Sequence, residues 1–153
     1  MTTRLQYFAV APGLTKQLVD LDAAVSASGI APRLNHLVRL RASQINGCVY
    51  CLHLHAREAR AGGEVQARLD LLPAWREASC YTDAERAALA WTEALTEIAD
   101  QGAPDEIYDE LCRHFDENER VQLTLLIGLI NIWNRVAIGF RSQHPKVPLP
   151  DAA

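Results

Sequence analysis

The stretch VQLTLLIGLINIWNRVAIGF, residues 121–140, constrains this chain of 153 residues more than any other. Its apolar residues face nearly every direction around a helix, so in a water-soluble chain it must be buried in a core or between copies. A membrane span is the competing reading, but Gln122, Asn131, Asn134 and Arg135 would be costly in hydrocarbon. Once buried, the polar group formed by Asn131, Asn134 and Arg135 beside Trp133 needs hydrogen-bond partners, and bonding between helices is favoured over substrate contact.

The rest of the chain carries the same period. Leu14, Leu18, Leu21, Ala24 and Val25 predict a helix from Leu14 to about Ser28, stopped by Gly29. Pro32 opens a second helix to about Ile45, where Asn46-Gly47 interrupts it. A third carries Cys48 through Arg60 to Gly62-Gly63, and EVQARLDLL gives a short helix closed by Pro73. Thr82 with Glu85 forms a candidate capping box for a helix to about Asp100. Pro104 opens PDEIYDELCRHF, and Asp116 with Glu119 caps the final helix. RLQYFAV is the only short strand candidate. The expected class is all-α, one domain over 1–153 packed as an antiparallel helical bundle, with association into homo-oligomers favoured by the apolar final helix.

With 49% hydrophobic and 22% charged residues, the composition is that of a globular domain. The formal net charge of −4 gives no basic surplus, which argues against nucleic acid or an anionic membrane surface as partner and for a small molecule or another protein. The N-terminal MTTRLQYFAVAPG lacks a secretory pattern, so a cytoplasmic location is expected and thiols start reduced. Four cysteines in that setting point to catalysis, redox exchange or metal binding rather than to a structural disulfide frame.

Two of the four stand in QINGCVYCLHLHAREA, residues 44–59. On a helix Cys51 lies about 60° from Cys48, and His55 falls between them. The sulfurs at i and i+3 are close enough to join, and His55 is one turn beyond Cys51. A break at Asn46-Gly47 makes Cys48 one of the first residues of a new helix, where free N–H groups and the dipole favour a thiolate. A zinc-type site is the sharper rival, with His36 completing the ligands, although no second pair at finger-like spacing exists. His53 points away from the pair. Cys80 and Cys112 read as buried or inert thiols, and His114 and His144 have no partner visible in sequence.

The motif LVRLRASQINGCVYCLHLHAREAR, with LTLLIGLINIWNRVAIGFR near the C-terminus, resembles the AhpD-type alkyl hydroperoxidases of the carboxymuconolactone decarboxylase-like superfamily over about residues 14–142. The resemblance implies an all-helical, oligomeric thiol enzyme that reduces hydroperoxides and is recycled by a disulfide-reducing dithiol partner, with no flavin, haem or metal. It assigns Cys51 as the attacking thiol, Cys48 as the resolving one and His55 as the proton relay. Helix-dipole reasoning by itself favours Cys48 as the better thiolate; the histidine one turn from Cys51 weighs the other way.

One position departs from the pattern. Twelve residues before the first cysteine the family usually has a glutamate that begins the relay, and here it is His36. Histidine accepts a proton but brings no negative charge to orient His55. Two other classes remain open on the sequence: a cofactor-free lactone decarboxylase-like enzyme, favoured only by the shared scaffold, and a non-catalytic thiol redox sensor.

Overall fold

The computed structural model describes residues 2–145, and among them every regular element is helical. In chain order these are α1 (Tyr7–Val10), α2 (Pro12–Ser26), α3 (Pro32–Asn46), α4 (Val49–Ala61) and α5 (Gln66–Leu71), which runs into a 3₁₀ turn at Leu72–Ala74. Then follow α6 (Asp83–Thr96), α7 (Ile98–Gln101), α8 (Asp105–His114) and α9 (Glu117–Phe140).

The two capping boxes expected from sequence are present. Thr82 accepts from the backbone N–H of Glu85 while the Glu85 carboxylate accepts from that of Thr82, and Asp116 and Glu119 do the same at the start of α9. Each satisfies two N–H groups that a helix start otherwise leaves unpaired. Two boundaries differ. The segment RLQYFAV supplies a turn of helix rather than a strand, with the Tyr7 ring 5.8 Å from that of Phe140. The helix expected to run to Asp100 ends at Thr96, and α7 continues after Glu97.

α3 lies at the centre, packed on α4, α6 and α9, while α9 also contacts α2, α4, α6 and α8. One core cluster joins Leu34 and Val38 of α3 to Ala88 and Trp91 of α6, Leu111 of α8 and Leu123, Leu126 and Ile127 of α9. A second joins Leu37, Leu40, Ala59, Leu72 and Leu89. A third and smaller one holds Ala42, Cys48, Cys51, Ile130 and Ala137, with Tyr50 and Trp133 against it. The thiol pair is therefore embedded where α3, α4 and α9 meet.

By length and composition α9 is apolar enough to cross a membrane, yet here its Leu123, Leu126, Ile127 and Ile130 fill the shared core. Its two buried asparagines bond to other helices. Asn134, fully buried, donates from Nδ2 to Ser43 Oγ at 3.0 Å and accepts from Asn46 Nδ2 at 2.9 Å. Asn131 donates to Thr96 Oγ1 at 3.0 Å and also faces Asn46 Nδ2 at 2.9 Å. Arg135 is exposed, its guanidinium turned back onto the Asn131 carbonyl.

Not every apolar residue of these helices is covered. Val25 is the one buried residue of α2, and Leu14 and Leu21, spaced as if for a core, are exposed. On α9, Val121, Leu125 and Ile132 are exposed too.

Candidate active site

The site begins with a turn. Gly47 ends α3 in the left-handed region at φ 68°, its N–H bonding the Gln44 carbonyl, while the N–H of Cys48 bonds that of Ser43 at 3.0 Å. These two bonds close the Schellman arrangement that glycine permits without a Cβ penalty. Cys48 is then at once the last residue of that turn and the N-cap of α4, its sulfur accepting from the backbone N–H of Cys51 at 3.3 Å. Asn46-Gly47 thus fixes the sulfur at a helix start, as the spacing led one to expect.

Cys48 and Cys51 are joined as a disulfide, with their Cα atoms 5.4 Å apart. Both are buried, at 1% and 3% exposure, so reagents reach them only through defined openings. One opening is a cavity of about 200 Å³ that touches Cys51 and His55. Its walls are largely aromatic and aliphatic: Tyr7, Phe8, Val19, Tyr50, Leu54 and Trp133, with the Arg39–Asp22 pair at one side. The N-terminal segment closes it, since the Arg4 N–H bonds the Phe140 carbonyl at 2.9 Å and Phe8 stacks over Trp133 at 6.3 Å.

His55 is buried, and its Nδ1 lies 2.9 Å from Oε2 of Glu58, one turn further along α4. The hydrogen bond from His55 holds the Glu58 carboxyl below the usual carboxylate range. A carboxylate accepting at Nδ1–H leaves Nε2 as the free nitrogen, the arrangement that makes an imidazole a directed base. The Glu58 side chain is itself 42% exposed, so a proton reaching it can pass to water.

His36 comes to the same neighbourhood but not to the sulfur. With Asn35, Arg39, Leu54, His55 and Glu58 it lines a second, more polar cavity, whereas Cys51 belongs to the first. Its Nδ1 is buried without a partner among the described residues, and its Nε2 faces Gly62. Burial pushes its pKa below the ordinary histidine value despite Glu58 nearby, so His36 stays neutral at physiological pH.

A carboxylate does stand beside His55, on Glu58 rather than at position 36. A signal existed in the sequence, since Glu58 stands at i+3 from His55, but it was hidden among the alternating charges of REAR. Arg39, buried and bonded to Asn35, Asp22 and Ser26, was not legible at all because its partners come largely from α2.

The remaining candidates fall outside the site. His53 turns away as expected, its ring 5.9 Å from that of His144. His114 pairs with Glu110. Cys80 is half-buried, whereas Cys112 is exposed and not buried, and it receives a hydrogen bond from Arg120. That arginine arrives from α9 and not from the cysteine's own helix.

The Cys-x-x-Cys turn with a carboxylate-held histidine sits within the stretch that decides the family: residues 12–94 match the model of the Carboxymuconolactone decarboxylase family. The chain belongs to that family. Within this superfamily it is of the AhpD type. The Bacillus subtilis (strain 168) protein YdfG, uncharacterized, is 38% identical over 143 residues, covering 94% of this chain and 97% of its own.

The crystal structure of ATU0492 from Agrobacterium tumefaciens, a protein of unknown function linked to the antioxidant defence protein AhpD, superposes with a TM-score of 0.93. It is 44% identical and covers 95% of this chain and all of its own, 100%. The debrominase Bmp8 shares the fold at a TM-score of 0.81 and 23% identity, over 89% of this chain and 73% of its own.

Proposed function

We propose that this AhpD-type protein is a thiol-dependent hydroperoxide reductase. The observation that carries the reading is the Cys48–Cys51 pair whose Cys51 end opens, together with a histidine that Glu58 holds, on a largely apolar cavity. In the reduced protein the Cys51 thiolate attacks the distal peroxide oxygen. The O–O bond breaks, Cys51 becomes a sulfenic acid, and the departing alkoxide takes a proton from the His55 imidazolium to leave as alcohol.

Cys48 then attacks the Cys51 sulfur, expelling water and forming the disulfide. His55 accepts and returns the protons, Glu58 holds its ring through Nδ1, and neutral His36 is a further acceptor beside Glu58. A dithiol, supplied by a disulfide-reducing protein, restores the pair by exchange and is itself oxidised to a disulfide. No flavin, haem or metal enters these steps.

The aromatic and aliphatic walls favour an organic hydroperoxide over hydrogen peroxide, because an apolar substituent gains burial there. The uncovered residues Leu14 and Leu21 of α2 and Val121, Leu125 and Ile132 of α9 support assembly into a homo-oligomer.

The test is a thiol count. Reduced protein treated with cumene hydroperoxide loses the Cys48 and Cys51 thiols and keeps those of Cys80 and Cys112. An unchanged count in folded protein contradicts the reading. Lactone turnover retained in the Cys48→Ser/Cys51→Ser double variant would instead support a decarboxylase-like enzyme on this scaffold.

A further inference from the structure

The disulfide is approached by two cavities, and each touches a different sulfur residue. The cavity of about 200 Å³ reaches Cys51 and not Cys48. Another, of about 390 Å³, reaches Cys48 and not Cys51. Tyr50 and Ala137 wall both. The second is built from the turn at Gly47–Val49 and from the end of α9, where the chain leaves the helix through Arg141 in a left-handed conformation at φ 56°. Arg141, Ser142, Gln143 and His144 give it a polar, cationic rim, in contrast to the aromatic walls on the Cys51 side.

We infer that the reducing thiol enters by this second cavity and attacks the sulfur of Cys48, so that oxidant and reductant use separate mouths on the two ends of one bond. This rests on the reading of the pair as a redox-cycling disulfide. Three features agree on it. A thiolate is costly to bring into an aromatic cavity whose guanidinium, Arg39, is already paired with Asp22, and is favoured beside that of Arg141. A small product still seated against Cys51 does not block the other mouth. The third feature is the leaving group, since exchange is faster when the expelled sulfur is the better-stabilised thiolate.

The steps balance as follows. The reductant thiolate bonds to Cys48 Sγ, the Cys48–Cys51 bond breaks, and Cys51 leaves as a thiolate beside His55. The second thiol of the reductant, as its thiolate, attacks the reductant sulfur of the mixed disulfide and expels Cys48 as a thiolate. That sulfur is received by the backbone N–H of Cys51, which already lies 3.3 Å from it. The reductant ends as its own disulfide, and its two protons pass to the pair and its bases. Each cysteine is thus a leaving group once, and each has its own stabilising group.

The experiment starts from wild-type protein oxidised by diamide, which makes the disulfide whatever the protein's activity toward peroxides. It is mixed briefly with glutathione, quenched in acidic N-ethylmaleimide and mapped by peptide mass spectrometry. The expected result is glutathione on Cys48 and maleimide on Cys51, in roughly tenfold or greater excess over the reverse at the earliest times. Glutathione mainly on Cys51, or equally on both, overturns the inference.

A second measurement does not depend on trapping. Ile138, 47% exposed on α9, walls the Cys48 cavity. Ile138→Trp slows reduction of the diamide-formed disulfide by glutathione roughly fivefold or more, as a crowded approach to sulfur should; an unaltered rate overturns the inference. Failure of the hydroperoxidase reading appears elsewhere, as thiols that cumene hydroperoxide leaves untouched while the diamide-formed bond still maps to Cys48.

Discussion

Glu58 sits one turn after His55 on α4 and accepts its Nδ1–H across 2.9 Å, which gives the imidazole both an orientation and a counter-charge. The carboxylate that the family usually supplies from the preceding helix is here on the same helix as the base.

Glu58→Gln removes the counter-charge and keeps the shape. The rate of thiol oxidation by cumene hydroperoxide should fall at least tenfold, a part of the about 10²–10⁴ that acid–base assistance contributes. Stopped-flow oxidation of reduced protein checks this. Because the Glu58 pKa is depressed by the His55 hydrogen bond, its contribution to stability is present above the ordinary carboxylate value and lost as pH falls through the depressed one. The wild type should therefore lose its stability advantage over Glu58→Gln in acid.

His36 acts in the same direction with pH, from a different cause. Burial lowers its pKa, so below about pH 6.5 the unfolded chain takes up a proton that the folded chain resists, and stability falls as the pH drops. Thermal melts of wild type and His36→Gln at pH 7.5 and pH 5 should show a smaller acid loss in the variant. An equal loss would mean that His36 binds its proton alike in the folded and unfolded chain, against the lowered pKa.

How much of this was legible in the sequence depended on distance along the chain. The boxes at Thr82–Glu85 and Asp116–Glu119 and the approach of Cys48 to Cys51 each lie within a helical turn, and the sequence spacing placed them correctly. The Asn131 and Asn134 bonds were expected as a class, but their partners Ser43, Asn46 and Thr96 were set by how α3, α6 and α9 cross. The exposure of Leu14 and Leu21 contradicts their helical spacing, because a stripe shows that a face is apolar and not what covers it. Arg39, bridging α2 and α3 at the cavity wall, carried no local signal.

Gly47→Ala tests the turn that seats Cys48. No atom lies within 4 Å of an added Cβ, so the cost is conformational only, about 1 kcal/mol for an alanine at positive φ. Urea denaturation should show that loss, and Gly47→Asn a smaller one, since asparagine tolerates the left-handed region better.

Asn134→Leu tests the polar tie between α3 and α9. The residue is fully buried, and its removal leaves Ser43 Oγ and one Asn46 contact without their partner. A destabilisation of about 1–3 kcal/mol is expected. A neutral substitution would show that the tie is dispensable.

The central claim is that Cys51 is the sulfur that meets the peroxide. Its direct measurement is sulfenic acid trapping with dimedone and mass spectrometry in the two single-cysteine variants of the pair, after one equivalent of cumene hydroperoxide. The account predicts an adduct on Cys51 in Cys48→Ser and none on Cys48 in Cys51→Ser. An adduct confined to Cys48, or none in either variant, would contradict it.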